Sequence, residues 1–184
     1  MNVAAVLAVV LASSPVSAVD APATALEIRD DPAGGMMATA TLHIPAPPDA
    51  VRAVLSDYER WPELFDGRFE MVKVERLEGR AVTDLRIKRS PLPGTMRLLC
   101  ETRQLPNGEI VTSLVEGDFT RYRRQWRLTA ETNGGAVHTR ADMEMTVDPE
   151  MWTPGWLFAR VLRSDLEAHF AILKERAVAQ VVSR

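Results

Sequence analysis

A chain of 184 residues, 46% apolar and 26% charged, is long enough to bury a sizeable core and has the composition of an ordinary globular protein. Its formal net charge of −3, with the two signs interspersed, excludes a general nucleic-acid binder. The single cysteine, Cys100, excludes an intramolecular disulfide and a cysteine-based metal site.

The first segment differs from the rest. Val3 to Ala12 is wholly apolar and is followed by Ser13-Ser14-Pro15-Val16-Ser17-Ala18. Val16 and Ala18 satisfy the small-residue rule of a signal-peptidase site, so the sequence predicts a signal peptide over 1–18 and export, to the periplasm or the medium, after cleavage at Ala18. Only the terminal amine supplies positive charge ahead of it. The competing reading is a buried or disordered N-terminal helix. The stretch is too short for a permanent membrane span. No cysteine follows it to carry a lipid, so a soluble mature protein is expected. Residues 19–35, dominated by Pro, Ala, Asp and Gly, read as a linker or short lead-in strand, and the folded domain is placed at 36–182.

Met36 to Ile44 reads as a strand. Pro45-Ala46-Pro47-Pro48 breaks it, and proline suits a first helical turn, where its missing N–H is not needed. Val51, Val54, Leu55 and Tyr58 then recur at helical spacing. Trp61 to Phe65 reads as a second short helix or turn. From Phe69 to Val147 the period is two. Val72 and Val74 share one face, as do Leu85 and Ile87. Met96, Leu98 and Cys100 alternate with Arg97, Leu99 and Glu101. Tyr122, Trp126 and Leu128 alternate with Arg121, Arg123, Gln125 and Arg127. Met143, Met145 and Val147 alternate with Asp142 and Glu144. Asn107-Gly108, Gly117-Asp118 and Asn133-Gly134-Gly135 supply turns. This predicts an antiparallel meander of about six strands with one wet and one covered face. After Asp148-Pro149, an amphipathic helix over about 156–181 carries Phe158, Leu162, Leu166, His169 and Leu173 on its apolar stripe. The covered sheet face is the one large surface able to bury that stripe, which gives an α+β grip.

At this point the residues resemble a known family. Ile44 to Phe65, with Asp57-Tyr58-Glu59-Arg60-Trp61-Pro62, is similar to the opening of polyketide-cyclase and coenzyme Q-binding proteins of the START-like (SRPBCC, helix-grip) superfamily. Glu116-Gly117-Asp118-Phe119 and Gln125-Trp126-Arg127-Leu128 resemble that family's G-x-F turn and the strand after it. The resemblance spans residues 36–180. It implies a helix-grip fold, a curved antiparallel sheet around a long C-terminal helix with a short helix pair after the first strand. It also implies a cavity between sheet and helix for a lipid-, quinone- or polyketide-like ligand, without naming the ligand. A superfold hosts many activities, so the function rests on the site.

The positions expected to line that space are Trp61 and Phe65 from the helix pair; Val74, Leu85, Ile87, Met96, Leu98, Leu114, Arg124, Trp126, Met143 and Met145 from the strands; and Trp156, Phe158, Leu162, Leu166 and His169 from the last helix. His169 is read either as a packed histidine bonded to a backbone carbonyl or as a ligand contact. Arg124 shares its face with Tyr122 and Trp126, and a charge there is costly unless paired. It is read as a head-group anchor, with Glu116 as a candidate partner, or as a strand-end arginine reaching water, or as a residue turned to the other face by a bulge. Trp152 and Trp156 either plug the core or touch a membrane transiently during ligand transfer. His43, His138 and His169 lack metal-ligand spacing, and no nucleophile elbow, dinucleotide fingerprint or P-loop occurs. The expectation is a monomeric binding or transfer protein with no metal, cofactor or catalytic residue. A cyclase, dehydratase or hydrolase using His169, Arg124 or Glu116 is the alternative.

Overall fold

The computed structural model describes residues 24–65, 67–88, 94–150 and 154–182. Along the chain run β1 (Ala25–Asp30), β2 (Met36–Ile44), α1 (Pro48–Ser56), a 3-10 turn (Tyr58–Arg60), α2 (Trp61–Leu64), β3 (Phe69–Leu77), β4 (Arg80–Lys88), β5 (Thr95–Gln104), β6 (Ile110–Gly117), β7 (Phe119–Asn133), β8 (Ala136–Pro149) and α3 (Gly155–Val182). The strands form one eight-stranded antiparallel sheet in the order β1-β2-β8-β7-β6-β5-β4-β3. The segment read as linker or lead-in strand thus contains β1, which pairs along its whole length with β2. The meander read from period two is β3 to β8.

The alternation that predicted the strands also sets the two faces. In β2, Met36, Ala38, Ala40, Leu42 and Ile44 are all buried and the residues between them are not. In β8, Ala141, Met143, Met145 and Val147 point inward, paired with Leu42, Ala40, Ala38 and Met36 of β2. Three bulges interrupt this parity. Val72, between Met71 and Lys73, is the extra residue of β3 and is 47% exposed, so it does not share the inner face with Val74. Val115 is the extra residue of β6, because Leu114 faces Cys100 while Glu116 faces Leu99. Thr120 is skipped between Phe119 and Arg121 in β7. At the β6–β7 turn Gly117 has φ +141°, and a Cβ there would sit 2.3 Å from the Arg97 carbonyl oxygen. No side chain fits that approach.

Pro48 opens α1, with Asp49 in its first turn, and Ala50, Val51, Val54 and Leu55 are buried. Helix α3 runs 28 residues and buries Leu162, Leu166, His169, Phe170, Leu173 and Ala177. It packs against α1, α2, β1 and β2. Towards β7 it presents Phe170, whose ring lies edge-on to Trp126 at 6.0 Å. A curved open sheet gripped around one long helix is a helix-grip α+β fold.

Candidate functional site

The inner face of β4 to β7 is not uniformly apolar. Thr83, Thr102, Thr112 and Arg124 are all buried there, at 0%, 2%, 2% and 4% exposure. Register brings them together: Thr83 faces Cys100, Thr102 faces Thr112, and Thr112 faces Arg124. The Thr102 and Thr112 hydroxyls hydrogen-bond each other at 2.9 Å. The Thr83 hydroxyl has no partner.

Arg124 is the one charge in this patch. Its guanidinium carbon lies 5.0 Å from the ring centre of Trp61 and 5.9 Å from that of Phe65. Trp61 is fixed for this contact by its indole N–H, which donates to the Leu55 carbonyl at 3.1 Å. Cation–π contact replaces only part of the hydration a buried guanidinium loses. Among the described residues no carboxylate pairs with Arg124, and its Nε is sealed from solvent without a hydrogen bond. Glu116 is not its partner. The Val115 bulge turns Glu116 to the outer face, where it binds Arg97 at 3.0 Å. Arg124 is 4% exposed, so little of it reaches water.

His169 closes the site from α3. Its ring stacks on Phe65 at 4.3 Å, and Phe65 stacks in turn on Phe69 at 4.0 Å. Its Nδ1 lies 3.3 Å from the Leu64 carbonyl oxygen. A carbonyl only accepts, so Nδ1 carries the proton and Nε2 offers a lone pair. Nε2 is buried and has no partner. Burial, reinforced by the charge of Arg124 and opposed by the Leu64 hydrogen bond, pushes the imidazole down to about 3. The ring is therefore neutral at physiological pH. Trp126, 1% exposed, adds an indole N–H that also lacks a partner. Burial pushes the Cys100 thiol up to about 12, against the opposing charge of Arg124, so it is an inert core filler. Burial likewise raises the Tyr122 phenol, again opposed by Arg124.

Of the sequence-derived candidates, Trp61, Phe65, Leu85, Leu98, Arg124, Trp126, Met143, Met145, Leu162, Leu166 and His169 are buried in the core. Val74, Ile87, Met96, Leu114 and Phe158 pack against it half-buried. Trp156 is different: it is 71% exposed. It precedes Phe158 by two positions, about 200° around the helix, so it cannot share that residue's stripe. Trp152 lies outside the described residues. Sequence reasoning missed Thr83, Thr102, Thr112 and Phe170. Thr83 carries the parity of Leu85, and Phe170 widens the apolar stripe beside His169. Two surface grooves, of about 490 Å³ against β1, β2 and α3 and about 320 Å³ against α1, α2 and the end of α3, include neither Arg124 nor His169. Among the described residues no group of three or more His, Cys, Asp or Glu side chains could hold a metal ion.

The fold and this interior define a START-like helix-grip protein. The profile of the family described as polyketide cyclase / dehydrase and lipid transport matches residues 44–171, and the chain belongs to that family. Solved structures share the fold. A protein from Thermus thermophilus is 23% identical with a TM-score of 0.61, covering 78% of this chain and 98% of its own. The Zhui aromatase/cyclase from Streptomyces is 16% identical with a TM-score of 0.60, covering 84% of this chain and 96% of its own. A STAR-related lipid transfer protein from Xanthomonas axonopodis is 17% identical with a TM-score of 0.60 and the same coverage, 84% and 96%. A search of curated proteins gives no match.

Proposed function

We propose that the protein binds and carries a hydrophobic small molecule of lipid, quinone or polyketide type between the inner sheet face and α3, outside the cytoplasm, without changing it chemically. In this reading residues 1–18 are removed on export, 19–35 lead in, and 36–182 form the binding domain. The family supports the ligand class, and the name of the Xanthomonas relative supports transfer.

The observation that carries the proposal is the set of orphaned polar atoms in an otherwise apolar interior: Thr83 Oγ1, Arg124 Nε, Trp126 Nε1 and His169 Nε2. Buried polar atoms are almost always hydrogen-bonded, because an unmade bond costs the full desolvation of the group. Three of them lie on β4 and β7 and the fourth on α3, and in this reading another molecule completes the set. Met143, Met145 and Leu166 supply adaptable apolar walls. Burial of a ligand's apolar surface contributes about 25 cal/mol per Å², so a long or polycyclic ligand needs few polar contacts.

The test is mass spectrometry of small molecules extracted from the purified protein, beside a Leu162→Trp variant that adds bulk on the buried side of α3, where the ligand is proposed to lie. A stoichiometric apolar ligand, depleted in the variant, is expected. Unchanged ligand content in Leu162→Trp would put the site elsewhere, and an empty wild type that takes up no apolar probe would end the proposal.

One observation favours a second reading, a cyclase-like enzyme. His169 and Arg124 are both buried and both lie against Phe65, and the Streptomyces relative is named an aromatase/cyclase. An imidazole pushed to about 3 is a feeble proton acceptor at neutral pH but a good hydrogen-bond acceptor, which is why binding leads. Recovery of a bound poly-β-ketone in altered form, dependent on His169, would reverse that order.

A further inference from the structure

Resting on the reading that a ligand occupies this interior, we propose that the ligand is anionic, an amphiphile whose oxyanion lies against Arg124. Trp61 and Phe65 of the helix pair lie over the guanidinium, and Thr112 of β6 and Met145 of β8 flank Arg124 in register. The titratable groups that feel its charge are the Tyr58 and Tyr122 phenols, the Cys100 thiol and the His169 imidazole. None is a carboxylate. The chain is not short of acids for its arginines. On the outer face Arg97 binds Asp84 and Glu116, Arg127 binds Glu109, and Arg80 binds Glu101. Other arginines, such as Arg86 and Arg123, also lack a carboxylate, but they are exposed to water; among the described residues Arg124 is the one arginine that is buried, and it has no carboxylate.

The orphaned atoms specify the same chemistry. Arg124 Nε and Trp126 Nε1 are donors and nothing else, so the end of the ligand they meet must be rich in acceptors. The guanidinium supplies one positive charge and a planar fork of donors, which matches a carboxylate, sulfonate, phenolate or enolate. The neutral His169 adds no second positive charge. Its Nε2 lone pair takes a hydroxyl or N–H from the same end of the ligand, and it tolerates the anion because Arg124 stands beside it.

The experiment uses two fluorescent probes with the same rings: anilinonaphthalene sulfonate, which is anionic, and N-phenylnaphthylamine, which is not. Dissociation constants are measured for wild type, Arg124→Met, Arg124→Gln and Leu162→Trp, each stripped of bound ligand. Wild type is expected to bind the sulfonate at least about tenfold more tightly than Arg124→Met does, with N-phenylnaphthylamine changed by less than about twofold, since a charge-assisted contact is lost and the apolar contacts are kept. Arg124→Gln, which keeps polarity without charge, repeats the selective loss and covers the case in which the methionine variant does not fold. Leu162→Trp weakens both probes if they sit inside. Equal losses of both probes in the Arg124 variants, or none, would overturn the anionic assignment while leaving a hydrophobic site. Binding of neither probe to wild type, or binding insensitive to Leu162→Trp, would overturn the site itself and the assignment with it.

Discussion

The two faces of the sheet treat charge in opposite ways. On the outer face charges are many and largely exposed, and most are paired; Glu109, 7% exposed, is the buried exception. Arg97 bridges Asp84 and Glu116, Arg127 binds Glu109 at 2.6 Å, and Arg80 and Arg103 share Glu101. The pairing shows in the carboxyls: the hydrogen bond from Arg103 holds Glu101 below its ordinary range, and that from Arg127 does the same for Glu109. Water would satisfy these groups nearly as well, so the pairs contribute little. Among the described residues the inner face carries one charge, Arg124, with aromatic faces for neighbours and no carboxylate. An unpaired buried charge works against folding, and its presence calls for a reason other than stability.

Adjacent residues give the largest contrast. Leu98, 1% exposed on the inner face, and Arg97, beside it on the outer face, differ by one position in β5. Leu98→Ala is expected to cost about 2–5 kcal/mol in urea denaturation, the usual range for truncating a buried leucine. A loss near zero would mean that the inner face is not packed as described.

His169 gives the next effect. Its ordinary value of 6.5 falls to about 3 on folding, so between those values the unfolded chain binds a proton that the folded protein refuses. Its contribution is full above 6.5 and is lost as pH falls towards 3. Between about pH 7.5 and about pH 5 the loss is about 2 kcal/mol, at about 1.4 kcal/mol per pH unit well below 6.5. His169→Gln should remove this slope from stability measured across that window. A variant with the wild-type slope would show that the ring is solvated.

Smaller still is the Thr102–Thr112 pair. Thr112→Val leaves the Thr102 hydroxyl buried without a partner and should cost about 1–2 kcal/mol, while the double valine variant recovers most of it. Equal destabilisation by the single and double variants would remove the case for a shared hydrogen bond. The smallest effect is Arg97→Ala, whose unfolding midpoint should stay within error of wild type and converge on it further with added salt.

Most of the fold was legible because its signals are long. Helix α3 has no internal proline and buries Leu162, Leu166, His169, Leu173 and Ala177 at helical spacing, and long stretches of the six later strands alternate between turn residues. Arg124 was placed on the covered face by the same alternation. Parity fails wherever a strand gains a residue. The bulges at Val72 and Val115 leave no mark in composition, so parity alone puts Val72 on the face of Val74 and makes Glu116 a candidate partner of Arg124. Whether Arg124 has any partner depends on contacts between segments remote in sequence, such as Trp61 and Phe65 of the helix pair against β7. The free Nε2 of His169 was likewise invisible, because the Leu64 carbonyl that fixes its tautomer comes from 105 positions away.

The most direct test of the contrast between the faces is the melting temperature of ligand-stripped wild type and Arg124→Met, with and without a saturating anionic amphiphile. Replacing an unpaired buried charge by an apolar side chain of similar length should raise the melting temperature of the empty protein, and the anion should stabilise wild type past the variant. An Arg124→Met protein that melts below wild type when both are empty, and is stabilised as much by the anion, would contradict the account.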